Sequence, residues 1–129
     1  MTLLIADDDA GMRALVRSTL APDLPDAIEA SDGRELFWHL MRASFGVGAR
    51  EDKLVLVVDV RMPAYNGLDV LESWHDRKRD VPIIVITSFP DERTRKRVAR
   101  LSATLVEKPF ARATLRQAVL DATKRAREA

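Results

Sequence analysis

A chain of 129 residues with 47% hydrophobic and 32% charged side chains falls within the size and composition range of one globular domain. The absence of cysteine excludes a disulfide framework and any metal or nucleophile site built on thiolates. The net charge of +1 is unevenly distributed, with acidic residues predominating up to residue 90 and basic residues after it, and no apolar run approaches the ~20 residues of a membrane span.

Five apolar runs are strand candidates. They are Leu3 to Ala6, Ala27 to Ala30, Leu54 to Val58, Ile83 to Thr87 and Thr104 to Val106. The third and fourth runs are rich in β-branched residues and are apolar without alternation, which predicts strands covered on both faces. This pattern favours a parallel sheet.

Helical patterns fill the intervals between these strands. Their apolar positions are Met12, Leu15, Val16, Thr19 and Leu20; Leu36, Phe37, Leu40 and Met41; Leu68, Val70, Leu71 and Trp74; Val98 and Leu101; and Leu115, Ala118, Val119 and Ala122. Asp9 is predicted to cap the first helix, and Trp38 and Trp74 are predicted to be packing residues. Five strands alternating with five helices predict a single α/β domain over residues 1–129, with a doubly wound five-stranded parallel sheet and helices on both faces.

The intervening segments give further expectations. The stretch from Ala43 to Lys53, with its two glycines, is predicted to be a long flexible loop, and Gly67 is predicted to supply a positive φ before the third helix. His39 and His75 are predicted to be solvated or to lie at the edge of the core. The first residues lack a signal peptide, so we expect a cytoplasmic location.

Polar side chains follow several of the predicted strands. Asp7 and Asp8 end the first, Asp59 the third, Thr87 the fourth and Lys108 the fifth. The carboxyl ends of parallel strands meet at one edge, where ligands bind, so these groups should converge. Converging carboxylates repel one another unless a cation lies among them, and oxygen ligands without His or Cys favour Mg²⁺. The lysine and hydroxyl would complete a pocket for a phosphoryl group.

Four of these residues also have a purely structural interpretation. Asp7 and Asp8 could cap the start of a helix and be solvated there. Thr87 could be an ordinary strand residue, and Lys108 could be a surface lysine. The basic cluster Arg93, Arg95, Lys96, Arg97 and Arg100 could favour nucleic acid or an acidic partner. Because no aromatic residues interleave and no DNA-reading motif is present, a solvated helix face is favoured and no direct nucleic-acid binding is expected.

Four sequence blocks, LLIADDDAGMR, LVLVVDVRMPAYNGLDVL, IIVITS and VEKPF, resemble those of response regulator receiver domains of the chemotaxis-regulator type. The resemblance spans nearly the whole chain and implies a flavodoxin-like receiver fold. It also implies a role in two-component signalling rather than as an enzyme, because a receiver assists only its own phosphorylation and dephosphorylation. By this resemblance, Asp59 would accept a phosphoryl group from a sensor histidine kinase or a phosphotransfer protein.

The resemblance assigns roles to the other polar residues as well. The implied magnesium ligands are Asp7 (through a bound water), Asp8, Asp59 and the main-chain carbonyl of Arg61. Thr87 would hydrogen-bond the phosphoryl oxygens and Lys108 would pair with them. Lys108-Pro109 resembles the family's cis peptide bond. The readout surface would be helix four, strand five and helix five, where the basic cluster makes an acidic or phosphorylated protein partner a reasonable hypothesis.

The chain also departs from the family pattern. Leu105 stands where receivers usually carry Tyr or Phe, Ser88 replaces a common Ala, and the Gly-Ala before the fifth strand is absent. Two other functions remain open. One is a pseudo-receiver interaction module, which Leu105 favours but the complete acidic set and Lys108 disfavour. The other is a phosphatase resembling haloacid dehalogenases, which the lack of a Thr or Val after the first-strand aspartates disfavours. No output domain is expected after the fifth helix, so the chain would be a stand-alone receiver or part of a longer protein.

Overall fold

The order of strands and helices alternates along the chain. The computed structural model describes residues 1–75 and 80–128. Its elements are β1 Thr2–Ala6, α1 Ala10–Leu20, β2 Ala27–Ala30, α2 Gly33–Ser44, β3 Leu54–Asp59, α3 Gly67–His75, β4 Ile83–Thr87, α4 Glu92–Arg100, β5 Thr104–Glu107 and α5 Arg112–Glu128. Each predicted strand is confirmed to within one residue, and each helical pattern lies on a helix, except that Leu101 is the C-cap of α4.

The five strands form one parallel sheet in the order β2-β1-β3-β4-β5. The predicted doubly wound architecture is therefore confirmed. The chain reverses its direction of travel across the sheet after β2, which places β1 and β3 side by side at the centre. Ala6 pairs in register with Val58, so the residues that follow these two strands emerge next to each other. The loops that leave the carboxyl ends of β1 and β3 diverge and form a crevice, which is where open α/β sheets bind ligands.

Side chains alternate along the strands and form one core on each face of the sheet. Leu3 and Ile5 join the residues of α1 and α5, including Val16 and Leu115. Leu4 and Ala6 point to the other face, where α2, α3 and α4 contribute the residues Leu36, Leu40, Leu68, Leu71, Trp74 and Val98. Because both faces are covered, β3 and β4 are buried along their whole length. No helix among the described residues is long and apolar enough to cross a membrane.

Aspartate side chains begin three of the helices. Asp9 accepts a hydrogen bond from the N–H of Gly11, Asp32 from that of Glu35, and Asp91 from that of Thr94. Each satisfies a backbone donor that the first turn of a helix leaves free. The predicted capping role of Asp9 is thus confirmed.

Several local predictions were wrong. The predicted packing role of Trp38 is not observed, because the side chain is 53% exposed, whereas Trp74 is buried as predicted. Phe37 is also exposed, although it stands one helical turn after the buried Gly33 and one turn before the buried Leu40. The predicted long loop is shorter, since α2 continues to Ser44 and a 3₁₀ helix occupies Glu51–Lys53. Its flexibility remains a prediction.

Gly67 does not have the predicted positive φ, because the glycines in that conformation are Gly46 and Gly48. Glycine is required at position 67 for another reason. A Cβ there would lie 2.2 Å from the carbonyl oxygen of Asp59. The start of α3 therefore presses directly against the end of β3, which only a residue without a side chain permits.

Candidate functional site

Three carboxylates meet at the carboxyl edge of the sheet. Asp7 and Asp8 follow β1, and Asp59 ends β3. One oxygen atom from each of the three lies within 4.8 Å of the others. Asp7 is fully buried and Asp59 nearly so, whereas Asp8 is exposed to solvent. Parallel pairing of β1 with β3 thus brings together residues more than fifty positions apart in the sequence.

Lys108 projects from the end of β5 into this carboxylate group. Its Nζ lies 3.0 Å from Oδ2 of Asp7 and 3.4 Å from Oδ2 of Asp59. Its backbone N–H donates to the carbonyl oxygen of Thr87, which fixes the exit of β5 against that of β4. The Lys108-Pro109 peptide bond is cis, as the resemblance implied. A surface position for this lysine is excluded, because its side chain is only 16% exposed.

The protonation of Asp59 reflects its crowded surroundings. Burial, together with the negative charge of Asp7, raises the pKa of Asp59 from 3.8 to about 6, although the Lys108 charge and the Arg61 N–H oppose this. Burial alone would lower the pKa of Lys108, but its contacts with Asp7 and Asp59 outweigh burial and raise the pKa. The lysine therefore stays charged at neutral pH, and one lysine partly balances three carboxyl groups.

The remaining predicted residues lie at the same edge. Thr87 is buried at the end of β4, and its Oγ1 accepts a hydrogen bond from the N–H of Phe89 at 3.4 Å. Arg61 lies two residues beyond Asp59, and its N–H donates to the Asp59 carboxylate. All six site residues predicted from the sequence, Asp7, Asp8, Asp59, Arg61, Thr87 and Lys108, therefore lie on neighbouring strand ends.

The donor set at this edge fits a hard divalent cation. The three clustered side chains offer carboxylate oxygens only, and their combined negative charge exceeds the charge of Lys108. Such oxygen-only, anionic sites suit Mg²⁺, which also retains water ligands and so tolerates the exposure of Asp8. The residues present are therefore compatible with the predicted metal.

Two supporting interactions were not anticipated from the sequence. Arg13 of α1 donates to the carbonyl oxygen of Asp7 at 2.8 Å and pairs with Glu29 of β2, which ties the β1–α1 turn to the edge of the sheet. The Arg61 guanidinium also lies 5.5 Å from the ring centroid of Phe89 at the rim of the site. The sequence did contain a signal for this contact. Arg61 stands two positions after Asp59 at the end of β3, and Phe89 stands two positions after Thr87 at the end of the adjacent strand β4.

The predicted basic cluster on α4 is only partly free. Arg97 contacts Asp69 at 2.6 Å and also pairs with Glu72, so it joins α4 to α3. Its side chain is 20% exposed, whereas Arg93, Arg95, Lys96 and Arg100 are exposed. The prediction that Arg97 belongs to a solvated or partner-facing surface was therefore wrong. Its charge is engaged within the domain.

Comparisons with known proteins agree with this arrangement. The family model for the response regulator receiver domain matches residues 3–120. Chemotaxis protein CheY1 of Helicobacter pylori is 35% identical over 91 residues, which cover 68% of this chain and 68% of that protein. The C4-dicarboxylate transport transcriptional regulatory protein DctD of Pseudomonas aeruginosa is 31% identical over 127 residues, which cover 98% of this chain and 25% of that protein.

Solved structures show the same fold at lower identity. A CheY-like response regulator receiver domain protein from Methanospirillum hungatei superimposes with a TM-score of 0.81 at 16% identity, covering 98% of this chain and 96% of that one. Vibrio cholerae chemotaxis protein CheY4 gives a TM-score of 0.72 at 22% identity, with 97% of each chain covered.

Proposed function

This chain belongs to the family of response regulator receiver domains, and on that premise we propose that it accepts a phosphoryl group on Asp59 within a two-component system. The family consists of signalling domains rather than enzymes with a separate substrate. The observation that carries the proposal is the convergence of Asp59, two further aspartates and Lys108 at one edge of the sheet. The phosphoryl donor would be a phosphohistidine on a sensor kinase or a phosphotransfer protein.

The carboxylate of Asp59 is suited to the role of nucleophile. One of its oxygens would form a P–O bond with the phosphoryl group while the P–N bond to the donor histidine breaks. The electron pair of that bond goes to the imidazole nitrogen, which is protonated as it leaves. Asp59 is ionised at neutral pH despite its raised pKa, since about 6 lies below 7. It therefore needs no separate general base.

The surrounding residues would position the group and balance its charge. Asp7, Asp8, Asp59 and the main-chain carbonyl of Arg61 would hold Mg²⁺. When bound, the ion would offset the negative charge that accumulates as the phosphoryl group approaches the carboxylate. Lys108, already 3.4 Å from Asp59, would pair with the phosphoryl oxygens, and the Thr87 hydroxyl would donate a hydrogen bond to them.

Phosphorylation would act by shifting a conformational equilibrium. Lys108 bonds Asp7 in this structure, and contacts of Lys108 and Thr87 with a phosphoryl group would favour a different arrangement of the β4–α4 and β5–α5 loops. The readout would be the face formed by α4, β5 and α5, whose exposed cations Arg93, Arg95 and Lys96 favour an acidic or phosphorylated protein partner. With Leu105 in place of an aromatic ring, the switch would depend on Thr87.

The proposal is tested by the intact mass of the protein after incubation with acetyl phosphate and MgCl₂. We expect the mass of one phosphoryl group on the wild type, and none on Asp59→Asn or after chelation of magnesium. Asp9→Asn is the matched control, because it changes a neighbouring carboxylate that caps α1 and should leave labelling intact. An unlabelled wild type would instead favour the pseudo-receiver module, and labelling of Asp59→Asn would place the acceptor elsewhere.

A further inference from the structure

Exposed apolar side chains are concentrated on α2 and the loop that follows it. Four of the seven large hydrophobic side chains exposed among the described residues are Phe37, Trp38, Phe45 and Val47. Their exposed fractions are 40%, 53%, 72% and 45%. Isolated exposed apolar residues need no explanation, but a group within eleven residues of sequence forms a patch of the kind that marks interaction sites.

Helical spacing places Trp38, Met41 and Phe45 on one surface, at three- and four-residue steps along the outer side of α2 and its C-cap. We refer to these three residues as the α2 outer stripe, which Phe37 flanks. The opposite side of the helix carries the buried residues Leu36, Leu40 and Ala43. Since α2 already packs into the core through that side, the α2 outer stripe is a second apolar face that the fold itself leaves uncovered.

A cavity beside α2 extends this face toward the core. Its volume is about 280 Å³, and Trp38 and Val47 line it together with the core residues Leu4, Ile28 and Leu54. The core side chains give the cavity an apolar base, so it suits a large aliphatic or aromatic side chain from outside.

The charges near the stripe indicate the chemistry of the occupant. The Arg42 guanidinium lies 4.5 Å from the ring centroid of Trp38, and Arg34 is exposed one turn before that ring. Within residues 1–75 and 80–128, neither arginine forms an ion pair with a carboxylate. Two-fold docking of a second copy through this surface would bring a second pair of these arginines, rather than carboxylates, to the contact, which is unfavourable.

We propose that the α2 outer stripe binds an amphipathic acidic helix of a partner protein. The apolar side of that helix would lie on Trp38 and Phe45, with one large side chain in the cavity, and its carboxylates would pair with Arg34 and Arg42. The stripe lies on the β2 side of the sheet, away from β5. The partner helix would therefore leave the carboxylate site and the α4–β5–α5 face accessible, and its binding would not depend on phosphorylation.

The test is a selection from a displayed library of single-helix peptides on the immobilised full chain. A Trp38→Ala/Phe45→Ala double variant serves for counter-selection. We expect enriched peptides to combine Asp or Glu with large apolar residues at helical spacing. Truncation of Trp38 alone should weaken the binding of these peptides more than about tenfold, as is typical of an aromatic anchor.

Matched variants separate the stripe from other surfaces. Arg42→Glu should abolish binding of the acidic peptides, whereas Phe89→Ala, which removes a 70% exposed ring elsewhere, and Asp59→Asn should leave it unchanged. Unfolding midpoints and far-UV circular dichroism verify that each variant is folded. The proposal is overturned by any of four results: no enrichment over the double variant, enrichment of neutral or basic peptides, indifference to Trp38→Ala, or a Trp38-dependent dimer in sedimentation.

Discussion

Replacing Asp59 with asparagine should stabilise the protein in the absence of magnesium. The pKa of Asp59 in the folded protein is about 6, against an ordinary value of 3.8. One pKa unit corresponds to about 1.4 kcal/mol, so keeping this carboxyl ionised costs the folded state about 3 kcal/mol near neutral pH. Asparagine has the same shape without the charge, so Asp59→Asn should raise the free energy of unfolding by up to about 3 kcal/mol.

The pH dependence of this gain has a definite sign. Because the pKa of Asp59 is raised in the folded state, the folded wild type binds a proton at Asp59 more readily than the unfolded chain does. The contribution of this proton to the free energy of unfolding is fully present below about pH 4. It is lost as the pH rises through the folded-state pKa of about 6. The advantage of Asp59→Asn should therefore be small in acid and complete near neutrality.

Urea unfolding followed by far-UV circular dichroism, with a chelator present, measures the difference in free energy of unfolding between wild type and Asp59→Asn in acid and near neutrality. Asp9→Asn is the control, since asparagine caps a helix as well as aspartate does. Magnesium should then raise the stability of the wild type more than that of Asp59→Asn, because it binds the native carboxylates. Equal stability of wild type and Asp59→Asn near neutrality would refute the idea that burial and Asp7 destabilise the ionised carboxylate. A gain in acid as large as the gain near neutrality would refute it as well.

Three further substitutions test how the fold supports the site. Gly67→Ala should lower the unfolding midpoint and slow phosphoryl labelling by acetyl phosphate, because its Cβ would meet the Asp59 carbonyl oxygen at 2.2 Å. Arg97→Met should lower the free energy of unfolding by about 1 kcal/mol, through loss of partly buried ion pairs to α3, while the exposed control Arg95→Met changes it little. Leu36→Ala should cost about 2 to 5 kcal/mol in chemical denaturation, since this side chain is fully buried.

Most of the fold could be predicted because local patterns record how each segment is covered. The unbroken β-branched runs of β3 and β4 indicated strands buried on both sides, and these strands are buried throughout. Polar residues directly after these runs indicated one shared edge. From parallel pairing alone, Asp59 and Asp7 were expected to meet, and they do.

The errors arose where a side chain's direction depends on packing. Trp38 was predicted to pack, yet the rotation of α2 about its axis is set by Leu36 and Leu40, which leaves the ring outside. Arg97 was grouped with other basic residues, but the approach of α4 to α3 engages it with Glu72. Gly67 was assigned to a turn, whereas close contact with β3 explains it.

The amino-acid order alone determined where the strands lie, that Asp9 caps α1 and which polar residues follow the strands, because these features depend on neighbours within a few positions. Only the tertiary structure decided that the Lys108 ammonium lies closer to the carboxylate of Asp7 than to that of Asp59, and that α2 presents a second apolar face to solvent. Both follow from how separately formed elements rotate and pack against one another, a relation between distant segments that no local pattern encodes.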